Sequence, residues 1–471
     1  MSLIKPILLA GVSLALLAAP AIAQDPEAIR TAEALRERAL QGSGAYEIVE
    51  DLTTRFGARP AGTESERAAA RWGAEQFRAW GFSNVAVESF PLSAWRRGEE
   101  RVEVLSPAPQ RLVVTALGGS IATPEGGVEG EAAIFRTYQE LLDAPVGALR
   151  GKIAVVLQDT PRAQDGAGYG STSPIRFQGP TEAARRGAVG FLLRSLGTHD
   201  HRFAHTGATR VGEGTIPAFA LSPPDADQLL RLRDAGLGPV RLRLFADVGF
   251  LEASTSQNVI GEVIGDERPD EVIVIGGHLD SWDLGTGAID DGAGVAITAA
   301  ALRLIAELPE RPARTIRVVW WGAEEVSQPP PAPGLAGARH YAETRRDQAA
   351  NHVAVSESDF GAGPIYALAL PANADPEFRQ AAMRVLTPLG IYFDGTPARG
   401  GGPDTGPLVA LGVPAFRLAQ DGTDYFDTHH TADDVIDRIE PENLDQNVAA
   451  WAAFLWLLAE SDVSFRPPAQ E

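Results

Sequence analysis

The sequence predicts an α/β protein with a mixed central sheet, helices on both faces of that sheet, and an inserted β-rich domain. Two observations predict this fold class. In the second half of the chain, short apolar runs rich in β-branched residues alternate with helical patterns, as in α/β sheets. Between Trp95 and Asp247, short strands dominate and helices are few. We therefore predict a sheet domain over residues 24–95 and 248–471, interrupted by an insert over residues 96–247.

Residues 1–23 predict a signal peptide that is removed on export. A basic start at Lys5 precedes the apolar run Ile7–Ala19, and the small residues Ala21 and Ala23 mark a cleavage site. A membrane anchor is the alternative, but the apolar run is too short to span a bilayer comfortably. We therefore expect a secreted or periplasmic protein that has no membrane attachment once the signal peptide is removed.

The composition excludes several classes of function. The 471-residue chain has a net charge of −21, which argues against binding to nucleic acid or to anionic membrane surfaces. It contains no cysteine, which rules out thiol catalysis and zinc sites built from cysteine. An exported chain without disulfides must be held together by its apolar core or by bound metal.

The sheet domain is predicted to begin with helices. Residues 24–44 and Tyr46–Leu52 have helical patterns, and Thr63 is placed to cap a third helix that ends near Gly81. A strand, Val85–Phe90, follows this helix. After the insert, the predicted strands are Ser256–Val263, Val272–Ile275, Thr315–Trp321, His352–Ser356, Ile365–Leu370 and Val413–Leu418, and the predicted helices are Val295–Leu308, Ala336–Arg346, Asp375–Gly390 and Glu442–Glu460.

The insert is predicted to consist mostly of strands and loops. Asp165–Phe177 is rich in glycine and predicts a loop. Leu192–Gly207 predicts a second loop, in which His199, His201 and His205 have a spacing that could hold a metal. We favour a solvated loop with incidental histidines, because no carboxylate accompanies them at a sharp spacing. The predicted strands are Arg101–Leu105, Leu112–Ala116, Glu131–Ile134, Lys152–Leu157, Gly190–Leu193, Ile216–Leu221 and Val240–Ala246, and the predicted helices are Thr181–Arg186 and Asp225–Ala235.

Histidines and carboxylates recur where the buried strands end. Burying a charged side chain at the end of an apolar strand costs folding free energy unless the charge is paired or binds a metal ion. Taken singly, each residue has an ordinary interpretation, such as a core histidine, a helix cap or a solvated pair. Together they predict a zinc site at one edge of the sheet, and a bridging carboxylate would allow two ions to bind. The residues are His278, Asp290, Glu324, Glu325, Glu357, Asp359, His429 and His430.

Four motifs around these residues carry a family resemblance: GGHLDSWDLGTGAIDDGAG, WWGAEE, SESDFG and HHTADD. They are similar to motifs of the di-zinc exopeptidase family, which includes secreted bacterial aminopeptidases and glutamate carboxypeptidases. The segments RFGARPAGT, LLRS, HTG and GVPAF also resemble its plasma glutamate carboxypeptidase branch. The resemblance covers essentially the whole chain after the signal peptide. It implies a zinc exopeptidase-like sheet domain and an insert of the protease-associated type.

The resemblance also implies a role for each motif residue. It implies two Zn²⁺ ions per chain and a general base that takes a proton from the attacking water and delivers it to the leaving amine. It further implies a cis peptide bond between Asp290 and Asp291. The implied roles are His278 and Asp359 as ligands of one ion, Glu325 and His430 as ligands of the other, Asp290 as the bridge, Asp280 as the acceptor for the second ring N–H of His278, and Glu324 as the base.

One position departs from the family pattern. Many relatives have a tyrosine just before the last histidine ligand, where it steadies the oxyanion, and this chain has His429 there. His429 and Tyr425 are therefore both candidates for that role. Of the two adjacent histidines, we prefer His430 as the metal ligand, because its spacing to Asp434 matches the family.

The implied function is hydrolysis of peptide bonds at peptide termini, by an aminopeptidase or a dipeptidase acting on a peptide or dipeptide. The alternatives are a non-catalytic receptor-like protein on the same fold, and a related deacylase or cyclase. A dipeptidase would need an arginine for the free carboxylate of its substrate. Arg399 and Arg194 are the candidates, although each has a simpler interpretation as a surface or structural residue. The sequence does not give the number of subunits; dimers occur in the branch, which makes a homodimer one candidate assembly.

Overall fold

The computed structural model describes residues 25–212, 214–251, 253–330 and 334–466. The predicted signal peptide lies outside these ranges. The helices are α1 Pro26–Ala39, α2 Ala45–Phe56, α3 Glu64–Ala79, α4 Tyr138–Asp143, α5 Ala167–Arg185, α6 Pro223–Asp234, α7 Ala293–Ala306, α8 Ala336–Thr344, α9 Pro376–Leu386, α10 Gly406–Ala410, α11 Tyr425–Thr428 and α12 Pro441–Glu460. None of the helices in these ranges has the length and apolar character needed to cross a membrane.

The strands fall into three sheets. They are β1 Ser83–Leu92, β2 Trp95–Ser106, β3 Gln110–Leu112, β4 Val114–Ala116, β5 Val128–Phe135, β6 Ile153–Val156, β7 Gly190–Arg194, β8 Ala218–Leu221, β9 Arg241–Phe250, β10 Ser254–Val263, β11 Arg268–His278, β12 Arg314–Trp321, β13 His352–Glu357, β14 Ile365–Ala369, β15 Tyr392–Phe393 and β16 Arg417–Gln420.

The central sheet is mixed, as predicted. Its five strands lie in the order β1-β10-β12-β11-β13. The first three pair antiparallel, whereas β12, β11 and β13 run parallel to one another. Consequently the carboxyl ends of β11, β12 and β13 meet at one edge, which is where α/β sheets hold their ligands. A smaller sheet, β15-β14-β16, lies in the C-terminal part of the chain.

Helices cover both faces of the central sheet, because its buried strands are apolar on both sides. Ile273 and Ile275 of β11 face one apolar layer, which they share with α1, α2, α3, α7, α9 and α12. Val272 and Val274 of the same strand face the opposite layer, formed with α8 and α10. The α/β fold class is therefore confirmed, and the central sheet is buried between the two layers.

The segment from β2 to β9 forms an eight-stranded sheet with the order β3-β2-β9-β5-β6-β7-β8-β4. Two apolar clusters lie against it, and one of them also takes in Trp282 and Val326 from the part of the chain that follows. The β-rich character predicted for this segment is thus present. Its domain bounds, residues 96–247, stay a prediction.

The prediction of a glycine-rich loop over Asp165–Phe177 was wrong. Most of these residues lie in α5, which contains Pro174 and Pro180 in its interior. Tertiary packing overrides the low helix propensity: Gly179 lies so close to β7 that a Cβ atom there would be 2.5 Å from the Phe191 ring. Glycine is therefore required by the close approach of helix and strand, rather than by a turn.

Candidate metal centre

The parallel strands of the central sheet bring the predicted ligands together. His278 is the last residue of β11, Glu324 and Glu325 follow β12, and Asp359 follows β13. Asp290 lies in the segment Ala288–Gly292, just before α7. The peptide bond between Asp290 and Asp291 is cis, as the family resemblance predicted.

Asp290 lies between two groups of side chains. Its Oδ1 atom is 3.1 Å from His278 Nε2, which is also 3.7 Å from Asp359 Oδ1. Its Oδ2 atom is 3.2 Å from His430 Nε2, which is itself 3.1 Å from Glu325 Oε2. Ligand atoms bound to one tetrahedral Zn²⁺ at about 2 Å lie roughly 3.3 Å from each other, so each group has the spacing of a shared ion.

The neighbouring His429 is less well placed as a ligand. Its Nε2 atom is 3.6 Å from Asp290 Oδ2, and its ring stacks on the His430 ring at a centroid distance of 3.5 Å. His430 approaches both Asp290 and Glu325 more closely, and this geometry favours it over His429.

The donor atoms and their electrostatics fit divalent cations. Asp290 Oδ2 and Glu325 Oε1 are buried, and neither accepts a hydrogen bond from the described residues. Burial raises the pKa of Glu325 well above its ordinary value, and the nearby charge of Asp290 adds to this. Burial and the charge of Asp359 likewise raise the pKa of Asp291. Several buried carboxylates close together, with imidazoles among them, are stabilised when metal ions supply positive charge.

Asp280 acts differently from the prediction. The ring nitrogen Nδ1 of His278 is 2.8 Å from the main-chain oxygen of Asp280, not from its carboxylate. The carboxylate instead accepts hydrogen bonds from the backbone N–H groups of Glu324 and Glu325, at 3.0 and 3.3 Å. These bonds lie at the turn that follows β12. Asp280 therefore orients the His278 ring through its backbone and positions the Glu324–Glu325 turn through its side chain.

The site opens into a cavity of about 510 Å³, which is lined by His278, Asp290, Glu324, Tyr425 and His429 among others. Glu324 lies half-buried in its wall. Burial raises the pKa of Glu324 well above its ordinary value, with Glu325 and Asp359 contributing to the increase. Glu324, which is predicted as the base, and the two oxyanion candidates Tyr425 and His429 therefore line the same cavity.

The two predicted substrate arginines do not lie in the wall of this cavity. Arg194 forms ion pairs with Asp159 at 2.6 Å and Asp227 at 2.7 Å, which gives it a structural role. Arg399 is exposed and lines a neighbouring cavity. The arginine in the wall is Arg176 of α5, which is 4% exposed and places Nη1 2.9 Å from His430 Nδ1.

The prediction of a solvated histidine loop was wrong for His205. This side chain is fully buried, and its ring lies 5.1 Å from that of His430 and 5.5 Å from that of His429. His199 is also buried, whereas His201 is largely exposed. The spacing of the three histidines had marked His205, but its neighbours His429 and His430 lie far away along the chain.

Arg59 is a further residue whose role the sequence did not reveal. It is fully buried and donates hydrogen bonds to four backbone oxygens, three of which belong to Leu279, Thr286 and Gly287 at 2.8, 2.7 and 2.8 Å. Burial lowers the pKa of Arg59 to about 10, so it keeps its charge at neutral pH. Arg59 therefore shapes the loop that joins His278 to Asp290. The motif RFGARPAGT was visible in the sequence, but its target was not.

Trp282 positions one of the candidate ligands. Its indole Nε1–H donates to Glu325 Oε2 at 2.6 Å, and its ring packs in the apolar cluster under the eight-stranded sheet. We expect Trp282→Phe to weaken zinc binding by roughly 10- to 100-fold, because the hydrogen bond that orients Glu325 is lost. Competition with a chromogenic chelator would measure the zinc affinity.

Trp95→Phe is the matched control for this measurement. Trp95 belongs to the same cluster, but its indole donates to the backbone oxygen of Ser120 at 3.0 Å and to no candidate ligand. It should bind zinc as the unmodified protein does. Equal zinc affinity in Trp282→Phe and the unmodified protein would contradict the assignment.

Comparisons with known proteins agree with this geometry. The profile of Peptidase family M28 matches residues 258–455. Carboxypeptidase Q of Mus musculus is 31% identical over 425 residues, which cover 89% of this chain and 86% of that protein. A crystal structure of a Peptidase M28 precursor from Shewanella amazonensis superimposes with a TM-score of 0.90 at 45% identity, covering 95% of this chain and 100% of that one.

A more distant structure shares the fold. A zinc aminopeptidase from Bacillus subtilis has a TM-score of 0.62 at 20% identity, covering 90% of this chain and 96% of the other. The resemblance found in the motifs therefore extends over 89% of this chain in the comparison with carboxypeptidase Q and over 95% in the comparison with the Shewanella protein. The chain belongs to peptidase family M28.

Proposed function

We propose that this protein is an exported exopeptidase that holds two zinc ions and cleaves dipeptides. The observation that carries the proposal is the position of Asp290, whose two carboxylate oxygens face separate pairs of candidate ligands. Residues 24–95 and 248–471 form the catalytic domain, and residues 96–247 form the inserted domain. Residues 1–23 are the signal peptide.

The ligands are proposed as the motifs implied: His278 and Asp359 on one side of Asp290, Glu325 and His430 on the other. When bound, the zinc ions supply acidity to the attacking water and polarise the scissile carbonyl. Glu324 takes the proton from that water and passes it to the leaving amine. Its position in the cavity wall, held by the backbone bond to Asp280, supports this role.

Arg176 supports a substrate with a free carboxylate. Its guanidinium is buried, its Nε atom has no hydrogen-bond partner among the described residues, and its Nη1 is 3.3 Å from the backbone oxygen of Thr206. A buried guanidinium is costly unless an anion or several acceptors compensate it. A substrate carboxylate in the adjoining cavity can accept two parallel bonds from this group.

The state of His430 adds to this argument. A histidine that binds metal through Nε2 carries its proton on Nδ1. That proton can be donated to Thr206 O, 3.3 Å away, and Nδ1 then no longer accepts from Arg176. Among the described residues, the guanidinium keeps the Thr206 backbone oxygen, 3.3 Å from Nη1, as its acceptor, and its other donors remain for the substrate. The inserted segment thus supplies a specificity residue to the catalytic edge of the sheet.

The test is a panel of dipeptides with free or blocked termini, assayed with added Zn²⁺. We expect cleavage of free dipeptides and strong loss of cleavage when the carboxyl end is amidated. Arg176→Gln should raise KM for free dipeptides roughly 10- to 100-fold, because a charge-assisted bidentate contact is lost. The KM for the amidated dipeptide should change little in the same variant.

Arg194→Gln is the matched control from the same segment, because its ion pairs lie with Asp159 and Asp227. It should leave KM unchanged. If the unmodified protein cleaves amidated and free substrates equally well, and loses activity only when the amine is blocked, the protein is an aminopeptidase and the role of Arg176 is wrong.

A further inference from the structure

A second cavity, of about 680 Å³, adjoins the metal centre. It shares Asp359, Phe360 and Pro403 with the first cavity. A substrate whose scissile bond lies at the metal centre can therefore extend into this space. Arg176 lies beside His430, on the Oδ2 side of Asp290, whereas the second cavity begins at Asp359, on the Oδ1 side. Arg176 and the second cavity thus lie on opposite sides of Asp290.

Glu357, the last residue of β13, lines the second cavity and is 5% exposed. Its Oε2 atom accepts a hydrogen bond from the backbone N–H of Asp404 at 2.9 Å, and its Oε1 atom accepts none from the described residues. Asp404 is fully buried behind it, and neither of its carboxylate oxygens accepts a hydrogen bond within the described part of the chain. These two adjacent buried carboxylates therefore have three oxygens that accept no hydrogen bond from the described residues.

The backbone around Glu357 is closely fitted to it. The N–H of Glu357 donates to the oxygen of Gly401 at 2.6 Å. Gly402 has a φ of 132°, and a Cβ atom there would lie 2.5 Å from Glu357 Oε2. Only glycine lets the loop pass this close to the carboxylate. The arrangement holds the Glu357 side chain in one position at the cavity wall.

The ion pairs found among the described residues include neither Glu357 nor Asp404, although they engage most neighbouring carboxylates of the sheet edge. Arg399 and Arg417 also line the cavity, but both are exposed to solvent. Burying carboxylates without a cation is costly, and a cationic ligand in the cavity would relieve that cost. A substrate ammonium group supplies one positive charge and three donors.

We propose that the second cavity receives the amino-terminal residue of the substrate and that Glu357, backed by Asp404, binds its free α-ammonium group. This inference rests on the proposed dipeptidase function and deepens it: the substrate is a dipeptide with both termini free. Its ammonium group lies at Glu357, its carboxylate lies at Arg176, and its peptide bond crosses Asp290. Glu357 is therefore a specificity residue for the amine.

The test compares Glu357→Gln with the unmodified protein on two substrates, alanyl-alanine and propionyl-alanine, which differ in the amino group. We expect the substitution to raise KM for alanyl-alanine about tenfold or more, because the charge-assisted bond to the ammonium is lost. For propionyl-alanine, kcat/KM should change by less than about threefold, since that substrate has no ammonium to lose. Bound zinc, measured by metal analysis, should be unchanged.

Asp394→Asn is the matched control, because Asp394 lines the same cavity and its carboxylate accepts from the backbone N–H of Thr396. It should leave both substrates unaffected. An equal loss on both substrates, a loss of zinc, or a selective loss in Asp394→Asn instead of Glu357→Gln would overturn the inference. If the unmodified protein cleaves no member of the dipeptide panel, the proposed function fails. If it cleaves dipeptides, and Glu357→Gln prefers alanyl-alanine over propionyl-alanine as strongly as the unmodified protein does, only this inference fails.

Discussion

Replacing Glu324 with glutamine should lower kcat on the order of 10³-fold while leaving the bound zinc unchanged, because a general base is removed without removing a ligand. Glu324 lines the cavity beside the candidate ligands. One of its carboxylate oxygens lies within 4.8 Å of a ring nitrogen of His278 and of a carboxylate oxygen of Glu325. Glutamine has nearly the same shape, but it does not accept a proton from the attacking water.

The measurement combines steady-state kinetics on a free dipeptide with metal analysis of the same preparation. Glu310→Gln provides a control in which a glutamate outside the metal cavity is changed. Full peptidase activity in a zinc-loaded Glu324→Gln protein would show that another group acts as the base. Loss of zinc in that variant would instead show that Glu324 is a ligand.

Replacing Asp290 with asparagine should have the second large effect, which is loss of peptidase activity to background. Asparagine offers one carbonyl oxygen and one NH₂ group, so it can serve only one of the two groups that flank Asp290. The native protein should bind about two zinc ions per chain, and the variant about one or fewer. Asp290 Oδ1 and Oδ2 face His278 and His430 respectively, which is why a single substitution affects both sides.

Metal titration by calorimetry, with circular dichroism to check the fold, would measure this effect. Asp359→Asn is the informative comparison, since it removes a ligand from one side only and should retain about one tightly bound ion. If Asp290→Asn binds as much zinc as the native protein, Asp290 is not a bridge. A native stoichiometry of one zinc ion would favour the cyclase alternative.

The core of the candidate site was predictable because its signals are local. Three of the candidate ligands, His278, Glu325 and Asp359, lie at or just after the ends of buried apolar strands. Parallel strands in one sheet have their carboxyl ends at one edge, so residues that end such strands converge wherever they lie in the chain. The parallel pairing of β11 with β12 and β13 therefore brings together the candidate ligands that lie at the ends of these three strands.

The residues contributed by the insert were not predictable in the same way. Arg176 and His430 are 254 residues apart in the sequence, and they meet because α5 packs beside the segment that follows α11. Glycine and proline in Asp165–Phe177 also concealed the helix that carries Arg176, since propensity is a weak signal where packing decides. The two arginines chosen from the sequence, Arg194 and Arg399, do not line this cavity.

The sequence by itself determined the α/β class, the family and the set of metal-binding candidates, because periodicity and motif spacing are properties of short segments. Only the tertiary structure decided which hydrogen bonds orient those candidates, as with the Asp280 backbone oxygen and the Trp282 indole. It also decided which distant side chains close the cavity around them. The physical reason is that the burial, orientation and pairing of a polar side chain depend on all the residues packed around it. Its chemical type, in contrast, is given by a single position of the sequence.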